Sequence, residues 1–161
     1  MLEPEVLFVK YAFPCAFIIR QRGEISEEEL SQLENAALHS KKLDRAFLER
    51  IFFRAFRRIE KLAVEMKKNK WDFEVIHDYF VSRHNELIKN GMETYEKAPA
   101  SLRNLCMVHR AKIKEIRGNI LVVQYGKENK LRPVVGEMIS NPKVGEFVTI
   151  HYGYAVEKVS V

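Results

Sequence analysis

Apolar residues recur at three- and four-residue steps through most of the first hundred positions, then change to a period near two. From Asp44 to Lys68 the stripe is Phe47, Leu48, Ile51, Phe52, Ala55, Ile59, Leu62, Ala63 and Met66, which predicts one long amphipathic helix. Phe53 and Phe56 widen that stripe and predict contact with more than one neighbour. Earlier, Pro4 is suited to open a short helix, and Pro14 is expected to kink or break it because proline removes an internal hydrogen bond. Ser26 followed three residues later by Glu29 is a capping-box start. Asp72 caps a further predicted helix with Phe73, Ile76, Phe80, Leu87 and Ile88 inward, and Gly91 after Asn90 marks its stop. His77 and His84 are seven apart on that helix, so they are expected to share a face as half-buried, hydrogen-bonded side chains.

The second period reads as strands. Ala111–Ile116 and Ile120–Tyr125 are joined through Arg117-Gly118-Asn119, a hairpin signal. Gly126 to Asn129 makes the next turn, Lys130–Val135 a third strand, Phe147–His151 a fourth and Ala155–Val159 a fifth. Five short strands in fewer than sixty residues are best satisfied by a small barrel, because closure removes exposed edges. The expected fold is α+β in two domains: a helical bundle over 1–96, a linker over 97–104 where proline and small residues lack periodicity, and a five-stranded OB-like β-barrel over 105–161.

Composition sharpens this division. Only two of the seven glycines, Gly23 and Gly91, fall in residues 1–104, while the other five punctuate the last 57. With 47% hydrophobic and 30% charged residues the chain is globular. Net charge is +5, and residues 41–70 carry 11 basic against 4 acidic side chains, read as the solvated face of the long helix. The apolar stretch Tyr11–Ile19 is about half of what a bilayer span needs. Acids Glu3 and Glu5 precede it and no small-residue cleavage site follows, so no secretory leader is expected. Two cysteines, Cys15 and Cys106, make no disulfide framework, and a reduced, cytoplasmic protein is expected.

One segment carries a more specific pattern. From Cys106 the chain reads Cys-Met-Val-His-Arg-Ala-Lys-Ile-Lys-Glu-Ile, then Arg-Gly-Asn and Ile-Leu-Val-Val. It closes with Val-Gly-Glu-Phe-Val-Thr-Ile-His-Tyr-Gly-Tyr-Ala-Val-Glu-Lys over 144–158. In order and spacing, residues 106–158 resemble the HypC/HupF family of hydrogenase-maturation chaperones; residues 1–104 share no such likeness. The resemblance implies a small OB-like barrel that binds a HypD-like iron–sulfur protein and a hydrogenase large-subunit precursor. It further implies help in assembling an iron centre with cyanide and carbonyl ligands. By position, the family's essential cysteine is Cys106 and its closing histidine is His151, while Gly145 and Gly153 are implied to allow tight corners. Here Cys106 lies inside the chain, and Arg110 stands where the family usually has proline.

The residues themselves add chemistry. A thiolate is a soft ligand for iron, and cationic neighbours lower a thiol's pKa. With Arg103, His109 and Arg110 close in sequence, Cys106 is expected to be exposed and partly deprotonated at neutral pH. Cys106, His109 and His151 are thus the candidate metal- or partner-binding residues, with iron a transient passenger through Cys106 and no tightly bound cofactor. Cys106 and His109 form a Cys-x-x-His pair, but the remaining cysteine and histidines are scattered, so a structural zinc is not expected. An alternative reading is nucleic-acid binding. Tyr125, Tyr152 and Tyr154 would serve as stacking platforms, and Lys112, Lys114, Arg117, Lys130 and Arg132 as a basic groove. A third is a diverged barrel that serves structure or interaction without metal chemistry; it predicts a buried, inert Cys106. No nucleophile–base set, carboxylate pair or phosphate-cradling glycine loop is present, so the chain is not expected to be an enzyme.

Overall fold

The computed structural model describes residues 2–90 and 99–160. The fold is α+β, with helices followed by a closed five-stranded barrel, and the chain divides into two compact units, residues 1–82 and 83–161.

In the first unit, α1 (Pro4–Gln21) is the core helix. Pro4 sits in its first turn, as expected, but Pro14 does not break it. Leu7, Phe8, Val9, Tyr11, Phe13 and Ala16 are all fully buried on this helix. Burying that many side chains outweighs the ~3 kcal/mol that an internal proline costs. Phe8 is the hub: its ring meets Phe52, Phe56, Trp71 and Phe80 at centroid distances of 5.3, 4.7, 5.8 and 5.7 Å. Next, α2 (Glu27–Leu38) carries the predicted capping box: Ser26 Oγ accepts from Glu29 N at 3.1 Å, and Ser26 N donates to Glu29 Oε2 at 3.0 Å.

The long helix expected over 44–68 is two helices, α3 (Arg45–Ile51) and α4 (Phe53–Met66). Phe52 leaves the helical region at φ −101°, ψ 39°, which lets its ring reach Phe8. Phe56, Ile59, Leu62 and Ala63 remain on the buried stripe, whereas Phe53 faces out beneath the Arg54 guanidinium, 4.4 Å above its ring. Much of the positive charge of residues 41–70 is matched by acids on other elements. Arg45 pairs with Glu5 (2.5 Å), Arg50 with Glu29 (2.5 Å) and Arg54 with Glu24 (2.8 Å).

The helix expected from Asp72 is interrupted. Asp72 caps α5 (Phe73–Asp78), a π-helical turn follows over Tyr79–Arg83, and α6 (His84–Lys89) comes after it. A π turn advances the register by one residue, so positions seven apart no longer share a face. His77 therefore lies against Phe73 and Tyr11 in the first unit, while His84 is buried in the second. Gly91 and residues 97 and 98 lie outside the described residues.

The second unit comprises α6, α7 (Ala100–Cys106) and the barrel. Residues 100–104, read as part of a linker, are helical together with 105 and 106: Pro99 fixes the entry, and Ala100, Leu102 and Arg103 are strong helix formers. The strands are β1 (His109–Arg117), β2 (Ile120–Tyr125), β3 (Lys130–Val135), β4 (Phe147–His151) and β5 (Tyr154–Val159). They close in the order β1-β2-β3-β5-β4. The β1–β2 hairpin turns on Gly118 at φ +59°. Closure between β3 and β5 is parallel and rests on one register pair, Val135 with Tyr154, beside Val135 N donating to Gly153 O at 2.7 Å. Ala111, Ile113, Leu121, Val123, Val134, Val148, Ile150 and Ala155 fill the interior.

Among the described residues no helix is long and apolar enough to cross a membrane.

Candidate functional site

Cys106, His109 and His151 lie around the place where α7 meets the β4–β5 turn, all within the barrel unit. Cys106 is the last residue of α7, and the chain then runs through Met107 and Val108 into β1. Asn85 on α6 fixes that passage like a strand partner: its Oδ1 accepts from Val108 N and its Nδ2 donates to Val108 O, each at 2.7 Å. From the other side, Tyr152 N donates to Leu105 O at 3.0 Å.

Tyr152 holds the site together. It occupies the turn between His151 and Tyr154 at φ +52°, a left-handed conformation unusual for a bulky side chain and worth about 1–3 kcal/mol of strain. Three hydrogen bonds hold it there: the amide to Leu105, its carbonyl accepting from Arg132 Nη2 at 2.9 Å, and its hydroxyl 2.7 Å from Cys106 Sγ. Gly153, expected to supply a tight corner, keeps an ordinary φ; the left-handed residue is its neighbour Tyr152. Gly145 does supply one, at φ +94°.

Cys106 is not the exposed, acidified thiol that its sequence neighbours suggest. It is 4% exposed, and burial pushes its pKa up, with the Tyr152 hydroxyl pulling weakly the other way. The cations that were to activate it are directed elsewhere. Arg110 is on the outer face of β1, 4.0 Å above the Phe147 ring and bonded to Ser160 O at 3.0 Å. His109 turns to Asn104 O (2.8 Å), and burial, together with the Arg132 charge, holds its pKa below the usual histidine value. A neutral imidazole bonded to Asn104 does not acidify the thiol.

His151 is fully buried, its ring 5.4 Å from that of His84 and 5.3 Å from that of Tyr152. Cys106, His109 and His151 thus surround the same turn but do not converge on a common point. Among the described residues no group of three or more His, Cys, Asp or Glu side chains is placed to hold a metal ion.

The alternative nucleic-acid set is divided by the same geometry. Tyr125 is 9% exposed, with its ring packed by His109 and Arg132, each 4.8 Å away, so it offers no open stacking surface. The Tyr152 hydroxyl is engaged by Cys106, and Tyr154 is half-buried. Arg117 forks onto Glu115 at 2.7 and 2.9 Å, Lys130 pairs with Glu128 at 3.5 Å, and Arg132 points inward. Lys112 and Lys114 remain exposed on β1.

Asn85 and Asn104 were not identified from the sequence, and His84 was read only as a half-buried helical side chain sharing a face with His77. Asn85 and His84 lie on α6, which follows the π turn and belongs to the barrel unit, and no spacing rule reveals that.

Comparison with protein-family models, with curated proteins and with solved structures finds no match to this chain.

Proposed function

We propose that the barrel unit is a HypC-like binding module, an accessory protein rather than a catalyst. In this reading it helps assemble an iron centre carrying cyanide and carbonyl ligands, between a HypD-like iron–sulfur protein and a hydrogenase large-subunit precursor. The observation that supports it is the contact across 46 residues between Cys106 and Tyr152, which joins the opening cysteine segment to the closing segment on one closed barrel. The resting thiol is protonated and shielded, so in this proposal docking of the partner displaces the Tyr152 hydroxyl and frees Cys106 for transient contact with iron.

The test is infrared spectroscopy on the full chain purified together with candidate partners. Bands in the cyanide and carbonyl stretching region are expected with the native chain and not with Cys106→Ala, whose circular dichroism should be unchanged. Absence of such bands from the native complex overturns the proposal.

A second reading, a barrel that serves packing or interaction without metal chemistry, is favoured by the burial of Cys106 and its raised pKa. It predicts that a thiol reagent leaves Cys106 unmodified both in the isolated chain and in the presence of the partner. The first reading predicts protection in isolation and reaction on partner addition.

A further inference from the structure

Arg132 is the odd member of this barrel's inner wall. Its register partner across β2 is Val123, fully buried, and the next inward pair along β3 and β2 is Val134 with Leu121, also buried. Arg132 therefore stands on the inward side of β3, where it is half-buried, and burial depresses its pKa. Its guanidinium donates to the Tyr125 hydroxyl through Nη1 (3.5 Å) and to Tyr152 O through Nη2 (2.9 Å), and it lies 4.8 Å from the centre of the Tyr125 ring. Nε is screened from solvent and has no hydrogen-bond partner among the described residues.

None of those partners is a carboxylate. Arg45, Arg50, Arg54 and Arg117 are each paired with a carboxylate. Arg132 has no carboxylate paired with it among the described residues; a phenol, a carbonyl and a ring face are its surroundings. The ring quadrupole offsets part of the lost hydration but leaves the full positive charge in place. That charge reaches His109, whose protonation it opposes. A half-buried cation beside a neutral imidazole, with no carboxylate paired to it among the described residues, leaves this barrel mouth electropositive.

We infer that this mouth receives a single carboxylate, with Arg132 as the recognising group. One guanidinium with one unused Nε–H supplies the two-point edge that a carboxylate fits, using Nε–H and an adjacent Nη–H. Among the described residues no second charged side chain acts on Arg132 to balance a dianion. The carboxylate is either a free small molecule or an Asp or Glu side chain of a partner polypeptide. The inference rests on Arg132 and does not need the metal-centre reading.

The full chain, labelled with nitrogen-15, is titrated at constant ionic strength with sodium acetate and with the capped dipeptide acetyl-Gly-Glu-amide, against sodium chloride and the Gln dipeptide. A saturable shift of the Arg132 Nε–H resonance, and of the Tyr152 amide, is expected with the carboxylates alone. Tighter binding of the Glu dipeptide assigns the source to a polypeptide; equal binding assigns it to a free carboxylate. Arg132→Lys keeps the charge but loses the fork, so the Tyr152 amide titration should weaken about tenfold or more. Arg110→Gln, on the outer face, should titrate as the native chain does. Shifts that never saturate, that chloride reproduces, or that survive in a folded Arg132→Gln chain overturn the inference.

Discussion

Phe8 in the helical unit and Tyr152 in the barrel unit are both aromatic and both fixed in place, but by opposite means. Phe8 is fully buried among four rings and has no polar atom to satisfy. Any well-filled arrangement of similar volume would hold it. Tyr152 is half-buried, sits in a strained backbone conformation, and is held by hydrogen bonds to Leu105, Arg132 and Cys106. Volume alone would not put it there. Stability is concentrated in the first kind of residue, while departures from local preference collect around the second, which is the pattern expected where a surface is kept for another molecule.

Substitutions should separate the two kinds of residue. Phe8→Ala empties the aromatic hub and should cost the helical unit about 3–5 kcal/mol in denaturant unfolding, with the barrel amides keeping their hydrogen-exchange protection. If the barrel amides lose protection equally, the two units do not behave as separate cores. A smaller loss is expected from Asn85→Ala, about 1–3 kcal/mol, because Val108 is left with an unpaired N–H and carbonyl. Exchange at the Val108 amide reads this directly.

Tyr152→Phe removes only the hydroxyl and should cost about 1 kcal/mol. That hydroxyl lowers the Cys106 pKa against burial, so the variant should raise it further. At a fixed alkaline pH, the rate of thiol modification should reflect a smaller thiolate fraction unless the lost contact also opens a path to the sulfur; the pH dependence of that rate distinguishes the two.

The smallest effect is on pH. His109 has a folded pKa below the unfolded value of about 6.5, so the unfolded chain binds the extra proton first as pH falls. Its contribution is intact above the unfolded pKa and is lost as pH falls from there toward the folded value. His109→Gln should flatten that part of the stability profile.

The barrel was largely legible in the sequence, because alternation and the Gly118 hairpin report local geometry that tertiary context seldom overrides. The capping box at Ser26 was legible for the same reason. The errors came where packing overruled local preference. Pro14 continues a helix that is buried on nearly every side, Phe52 leaves the helical region to meet Phe8, and residues 100–104 are helical despite their loop-like composition. At the site, the resemblance singled out Cys106 and the closing segment, which the fold brings into contact, but said nothing of their environment. Charges adjacent in sequence do not acidify a thiol when strand alternation turns Arg110 outward and a backbone carbonyl takes His109. Asn85 and Arg132 act through partners distant in the chain, which no short window contains.

The seam between β3 and β5 has a consequence for access. The ring of strands is fastened along most of its circumference by long antiparallel ladders, and at this join by a single step. That step involves Gly153 and Tyr154, so the residue next in line is Tyr152. When such a fold breathes, the shortest ladder parts first. The least costly local opening of the barrel is therefore the one that loosens the lid over its sulfur, leaving the rest of the wall intact.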